Sequence, residues 1–170
     1  MVGSADPKKD RGEKSMVYEL KKVGKDVYAV LQNGKFKTGL SWKESVNLAT
    51  KMSDKNKSLR LLTLQEAYDL THKDENFKNE IMKPYWIWNL EQFNKADVKE
   101  SSAIVELIRL GKFKEPKEKV WKGGIYYENG KSSVRSGWST LGGLPCFYAI
   151  ASVPAVKSRR GLAVFKLDRK

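Results

Sequence analysis

The chain has 170 residues, of which 40% are hydrophobic and 31% are charged, which is enough apolar material for one domain with a core. Its net charge of +13 raises the question of nucleic-acid binding, although the excess is mostly scattered lysine, which also describes an ordinary charged surface. The single cysteine, Cys146, excludes an internal disulfide framework and a multi-cysteine zinc site, and the single histidine, His72, excludes most histidine-based metal sites.

Residues 1–15 are polar and show no periodicity, which predicts a disordered tail ahead of a single domain over residues 16–170. The tail is charged and contains no apolar stretch, so no secretory signal is recognised. The location of the protein is therefore left open between the cytoplasm and a virion.

The domain is expected to begin with a β-hairpin. A first strand starts within Val17–Leu20, and the alternation of residues in Asp26–Gln32 predicts a second strand. Asn33-Gly34 is a strong hairpin-turn signal, because both residue types tolerate positive φ. The return strand is then predicted over Lys35–Thr38.

Three helices are predicted from capping residues and from apolar residues at helical spacing. One capping-box pattern opens at Ser41–Glu44 and another at Thr63–Glu66. A third helix is predicted over Ala103–Leu110, with Gly111 suited to its C-terminal cap. The residues of the first two helices that are expected to face the core are Trp42, Val46, Ala49, Met52, Leu64, Ala67, Tyr68 and Leu70.

Most strands are expected after the helices. The aromatic segment Pro84–Leu90 is typical of a strand packed in the core, and the last strand is predicted over Leu162–Leu167. Val120–Tyr127 and Ser132–Trp138 predict a second hairpin around a turn at 128–131. This order predicts an α+β fold of small antiparallel sheets, two to three helices and long irregular connections.

A stretch of 21 residues from Ser136 to Val156 contains no Asp, Glu, Lys, Arg or His, in a chain that is densely charged elsewhere. A membrane-spanning helix needs about 20 apolar residues. Glycines and prolines interrupt this stretch, so no membrane span is expected. The stretch is therefore expected either to be buried or to form a surface kept free of charge for binding.

The sequence carries no recognisable catalytic or cofactor motif. It contains no glycine-rich phosphate loop, no HExxH or CxxC metal motif and no Gly-x-Ser-x-Gly nucleophile turn. Cys146 has no histidine partner except His72, which lies in a predicted helix, and carboxylates such as Glu91 and Glu106 show no pairing by spacing. We therefore expect no enzyme activity, no metal and no cofactor.

Several segments resemble, in the same order, the motifs of formylglycine-generating-enzyme-like domains. Gly39–Ala49 is similar to their opening helix, Leu59–Leu70 to their Arg-Leu-Pro-Thr segment, and Trp86–Asn89 to the strand that follows. Arg135–Trp138 and Arg160–Phe165 are similar to the two ends of their C-terminal pattern. The resemblance implies a C-type lectin fold.

The chain departs from the enzymes and the sugar-binding lectins of that fold at functional positions. Formylglycine-generating enzymes use paired cysteines, and this chain has one cysteine. Calcium-dependent lectins use Glu-Pro-Asn or Gln-Pro-Asp with a downstream Trp-Asn-Asp, and Trp88-Asn89-Leu90 lacks the acid. Neither catalysis nor calcium-dependent sugar binding is therefore expected.

These departures resemble one branch of the fold, the variable proteins of diversity-generating retroelements of the archaeal or archaeal-virus type. Adenine-directed mutagenesis of their codons cannot write Lys, Glu, Gln, Met or Trp. Every residue from Ser136 to Val156 except Trp138 belongs to the accessible set, although the same composition also fits burial. The resemblance implies a non-enzymatic display protein whose variable surface lies at about residues 136–160.

This variable segment is expected between the second hairpin and the last strand, on one edge of a small sheet. Phe147 and Tyr148 are expected to be exposed and to supply contact area, while hydroxyls such as Ser152 supply adaptable hydrogen bonds. The predicted ligand-binding residues are Ser139, Thr140, Leu141, Leu144, Pro145, Phe147, Tyr148, Ile150, Ser152, Val153 and Val156.

The expected partner is an unknown target, a protein or a cell-surface molecule, bound by a monomer. Two alternatives stay open. One is a basic nucleic-acid-binding domain, which needs Lys and Arg clustered on one face and an affinity that falls steeply with salt. The other is a degenerate lectin-fold sugar binder, which needs a metal or a clustered carboxylate pair.

Overall fold

The computed structural model describes residues 17–118, 120–127, 130–139 and 145–169 of the chain. The predicted tail and three predicted binding residues lie outside the described residues; the three are Thr140, Leu141 and Leu144. No helix in the described ranges is long and apolar enough to cross a membrane. The described residues form two small sheets with four α-helices, which confirms the predicted α+β class.

The first sheet, here called the frame sheet, joins the beginning of the described chain to its end. Its strands are β1 (Glu19–Gly24), β2 (Val27–Gln32), β3 (Lys35–Phe36), β4 (Lys57–Leu61) and β10 (Val164–Arg169). The order is β1-β2-β10-β4, with β3 paired to β2, and every pair is antiparallel. The first hairpin is confirmed, with Asn33 and Gly34 both at positive φ, as its turn requires.

The second sheet, here called the cleft sheet, contains the strands from the middle of the chain. They are β5 (Trp86–Asn94), β6 (Val120–Ile125), β7 (Lys131–Ser139), β8 (Cys146–Ser152) and β9 (Gly161–Leu162). The order is β6-β8-β7-β5-β9. Only Ala163 separates β9 from β10, so the predicted last strand is one segment that passes from the cleft sheet into the frame sheet.

The three predicted helices form, and the structure adds a short α-helix that the sequence did not predict. They are α1 (Trp42–Met52), α2 (Leu64–Lys73), α3 (Glu75–Phe77) and α4 (Ala103–Arg109), with a π-helix at Lys78–Met82 and a 3₁₀-helix at Lys95–Asp97. Both predicted capping boxes are formed: the Glu44 amide donates to the Ser41 hydroxyl, and the Glu66 amide to the Thr63 hydroxyl. Gly111 follows α4 at a φ of +74°, a conformation that suits a helix end.

Two clusters of buried apolar residues hold the elements together. The larger lies between α2, α4 and one face of the cleft sheet, and Phe77, Ile87 and Phe147 are among its members. The smaller joins α1 and the frame sheet, and it includes Trp88 and Phe165. Each face of the cleft sheet therefore has its own packing partners.

The predicted second hairpin is wrong. β6 does not pair with β7, because β8 lies between them, parallel to β6 and antiparallel to β7. Two residues of the predicted turn, Glu128 and Asn129, lie outside the described residues. A strand without charges, such as β8, can lie in the interior of a sheet with a neighbouring strand on each side. β6 carries the exposed Lys122 and lies at the edge of the sheet. The charge-free stretch thus supplies an interior strand, not the edge that its position in the sequence predicted.

Candidate functional site

A cleft of about 860 Å³ opens on the cleft sheet beside the π-helix. We call it the basic aromatic cleft, because four aromatic rings and four cationic side chains line it together with three smaller residues. The rings are Trp86, Trp121, Trp138 and Tyr148, the cations are Lys78, Lys83, Arg135 and Arg160, and the remaining residues are Ser139, Pro145 and Ile150. Four of the predicted binding residues are therefore brought together here, on β7, on β8 and just before β8.

The pleat of β8 decides which of its residues reach the cleft. Tyr148 and Ile150 point to the cleft side and are half-buried, whereas Ala149 and Ala151 point into the larger core. Phe147 also points into the core and is only 1% exposed, so its predicted exposure is wrong. Its ring packs edge-on against Tyr68, with 5.2 Å between the ring centroids. The physical reason is the two-residue period of a strand, which sends neighbouring side chains to opposite faces.

Three further predicted residues lie away from the cleft. Ser152 is 5% exposed, so its predicted role as an exposed hydrogen-bonding residue is wrong. It ends β8 opposite Ser133, and this pairing buries it inside the sheet. Val153 and Val156 are half-buried beyond the end of β8, and Val156 packs against the smaller core. The structure does not bring either valine into the cleft.

Three glycines make room for side chains of the cleft. A Cβ at Gly137 would lie 2.6 Å from the hydroxyl oxygen of Tyr148, and a Cβ at Gly161 would lie 2.7 Å from the Trp86 ring. A Cβ at Gly123 would lie 2.3 Å from Cγ1 of Ile150. All three distances are shorter than any relaxed contact, so residues larger than glycine would displace the side chains that form the cleft.

Two of the cations lie over aromatic rings. The Arg135 guanidinium carbon is 4.6 Å from the centroid of Trp86, and the Lys78 ammonium is 5.0 Å from the centroid of Trp138. Both distances are typical of cation–π contacts, which hold a cation in place while part of its hydration is removed. The aromatic rings of the cleft therefore also fix the positions of its positive charges.

Arg135 is half-buried, as is Lys78, whereas Lys83 and Arg160 are exposed. The Nε of Arg135 lies in the interior without a hydrogen-bond partner, and burial lowers the pKa of its guanidinium below the ordinary value. Arginine nevertheless stays charged at neutral pH. No Asp or Glu side chain is among the described residues that line the cleft. The positive potential inside the cleft is thus not neutralised from its own walls.

Tyr148 supplies a neutral polar group in the same place. Burial raises the pKa of its hydroxyl, so the phenol keeps its proton at physiological pH and can donate a hydrogen bond. The Trp121 ring packs edge-on against the Tyr148 ring, with 5.5 Å between centroids. Trp121 is 38% exposed, which leaves part of its ring open to a ligand.

The cleft residues that lie outside the charge-free stretch are absent from the predicted set. The sequence predicts that Pro84–Leu90 packs in the core, and Trp88 does so fully, but Trp86 also borders the cleft. Arg135 follows the buried Val134 on β7, so strand alternation could have placed it on the opposite face. Lys78 and Arg160 come from distant parts of the chain, and no local pattern indicates that they meet.

The acidic residues named from the sequence have structural contacts elsewhere. Glu91 accepts a hydrogen bond from the Leu64 amide at 3.0 Å, at the start of α2. Glu106 accepts from the amides of Lys99 and Glu100 and pairs with Arg109. Within the described ranges, no group of three or more His, Cys, Asp or Glu side chains is arranged to hold a metal ion.

Comparison of the chain with family models, with curated proteins and with solved structures gives no match. The geometry and the charges of the basic aromatic cleft are therefore the observations from which a function is argued.

Proposed function

We propose that this chain is a non-enzymatic binding protein, active as a monomer, whose ligand occupies the basic aromatic cleft. The observation that carries the proposal is that Ser139, Pro145, Tyr148 and Ile150 line one cleft. A cleft of this volume, lined by aromatic rings and a few convergent polar groups, has the usual features of a ligand site. The target would be a protein or a cell-surface molecule.

The cleft's residues of β7 and β8 would be diversified by a retroelement. The support is twofold: residues 136–156, apart from Trp138, belong to the set that adenine-directed mutagenesis can write, and the stretch contributes one wall of the cleft. The C-type lectin fold is part of the same proposal. It is supported by the contacts of Arg60, Thr63 and Glu66, which carry the resemblance and join in one hydrogen-bond network.

The flanking DNA provides the test of diversification. We expect a near-copy of the codons for residues 136–160, with adenines at the differing positions, beside a reverse-transcriptase gene. The strand geometry sharpens this expectation, because variation should fall on Tyr148 and Ile150 and spare Phe147, Ala149 and Ala151. Variation spread evenly over both faces of β8 would contradict the proposal, since half of it would strike the core.

A second candidate function is nucleic-acid binding. The specific observation in its favour is the meeting of Lys78, Lys83, Arg135 and Arg160 around one cleft. Binding through phosphates predicts an affinity that falls steeply with salt, because each neutralised phosphate releases counterions. A fluorescent oligonucleotide titrated at about 50 mM and about 200 mM salt distinguishes the two candidates.

A further inference from the structure

The cations of the basic aromatic cleft differ in how far the protein already satisfies them. Lys78 has the Glu75 carboxylate at 3.2 Å, and the Arg160 guanidinium donates to the Pro84 carbonyl at 3.2 Å. Arg135 and Lys83 have no carboxylate partner among the described residues. No described carboxylate therefore supplies a direct counter-charge to these two cations, and an incoming anion could do so.

Arg135 is the stronger of these two anion sites. Its Nε is buried without a hydrogen-bond partner, which is costly, and the fork of N–H donors on a guanidinium matches the two oxygens of a carboxylate. The Arg135 guanidinium packs on a face of the Trp86 ring, and that ring in turn lies against Gly161. These contacts fix the position of the guanidinium. An anion bound here would therefore meet a donor that needs little reorganisation.

The aromatic rings of the cleft offer few open faces on which nucleic-acid bases could stack. Single strands bind proteins by stacking bases on open aromatic faces. Here Arg135 covers a face of Trp86, and Lys78 covers a face of Trp138, so Trp121 is the ring left most exposed. Apolar contacts are available instead from Pro145 and Ile150.

We propose that the cleft binds a peptide segment of a protein target through an Asp or Glu carboxylate held by Arg135. Side chains beside that acid would contact Trp121, Pro145 and Ile150. This inference rests on the proposed binding function and adds the chemical class of the ligand. It assigns Arg135, which lies on β7 just before the charge-free stretch, as the residue that sets the charge preference of the cleft.

The experiment selects binders from a random dodecapeptide library displayed on phage, with the purified full chain as bait. The same selection is made with Arg135→Met, which keeps an unbranched apolar side chain but removes the charged guanidinium, and with Lys51→Gln. Each variant loses one positive charge. Lys51 is exposed on α1, outside the cleft, so Lys51→Gln is the control for the loss of charge alone. Circular dichroism and a urea midpoint confirm that each variant is folded.

We expect Asp and Glu to be enriched in peptides selected by the unchanged chain and by Lys51→Gln, and not in those selected by Arg135→Met. A selected acidic peptide, labelled with fluorescein, should bind Arg135→Met about tenfold more weakly or worse, the loss expected for one charge-assisted hydrogen bond. Arg135→Lys keeps the charge without the fork and should recover part of that loss. If Arg135→Met does not fold, Arg135→Lys and the Asp-to-Asn form of the peptide carry the comparison.

Four outcomes would overturn the inference, and they separate it from the proposed function. Neutral peptides that need Tyr148, shown by their loss with Tyr148→Ala, would leave a binding cleft but remove the acidic ligand. Equal weakening by Arg135→Met and Lys51→Gln would show general charge attraction, and tighter binding of a deoxythymidine oligonucleotide at the same site would assign nucleic acid. Selection of no peptide at all would remove the inference, whereas the proposed function would still allow a cell-surface molecule that is not a peptide.

Discussion

Replacing Gly137 by alanine tests the geometry at the centre of the cleft. The new Cβ would lie 2.6 Å from the Tyr148 hydroxyl oxygen, 2.8 Å from Cζ and 2.9 Å from Cε2. An ordinary contact begins at 3.4 Å, so the ring must retreat by roughly 0.8 Å. Trp121 packs against that ring and restricts its movement. Overpacking of this kind costs about 1–3 kcal/mol, so we expect the free energy of unfolding to fall by that amount.

The assay is urea unfolding of four proteins: the unchanged chain, Gly137→Ala, Tyr148→Ala and the double variant. Once Tyr148 is shortened, the three atoms nearest to the new Cβ at position 137 are gone. It should then cost nothing, or stabilise the strand by about 0.5–1 kcal/mol, because alanine loses less backbone entropy than glycine. The expected coupling between the two substitutions is therefore about 1–3 kcal/mol. An equal cost of Gly137→Ala in both backgrounds would refute the proposed contact.

Three further predictions concern residues outside the cleft. Glu106→Gln should lower the urea midpoint at neutral pH, and this difference should shrink as the pH falls below 4.5. The reason is that hydrogen bonding from Arg109 lowers the pKa of Glu106, so the stability contributed by the ionised carboxylate is lost when it protonates. An unchanged difference at pH 3 would contradict this. Arg60→Met removes the bidentate pair with Glu66, and thermal unfolding should show a loss of about 1–2 kcal/mol. Ser41→Ala removes the cap of α1 and should cost about 1 kcal/mol, whereas Ser41→Asp should cost much less.

Local signals in the sequence were sufficient for the elements that local chemistry determines. Both capping boxes and the Asn33-Gly34 turn form as predicted, because their hydrogen bonds and φ values depend on residues within one turn. The pairing of β6 with β8 was missed because it is a contact between strands far apart in the sequence. Hairpin signals report on neighbouring segments, and they carry no information about a third strand that inserts between them.

The same limit applies to the cleft. The charge-free stretch predicted Tyr148 and Ile150, which line the cleft, but it could not separate them from the buried Phe147, since its composition is apolar on both faces of β8. Register and layer order decide that question, and both depend on the whole sheet. Arg135 and Lys78 were missed for a related reason: each is one charge among many in a basic chain, and only folding places them over tryptophan rings.

The glycines beside β8 give a physical reason why its outward positions could vary. Cross-strand neighbours on one face of a sheet interact by about 0.2–1 kcal/mol, so a change at one position usually constrains the residue opposite. Each outward residue has a glycine on one side only: Tyr148 stands opposite Gly137 and Ile150 lies against Gly123, whereas Trp121 and Arg135 are their cross-strand neighbours on the other side. A side chain smaller than Tyr148 or Ile150 would leave the adjacent strand undisturbed. A residue larger than glycine at position 137 or 123 would instead occupy the space that the side chain at 148 or 150 needs. The glycines, and not the residues they face, are therefore the positions that a diversified surface would have to keep.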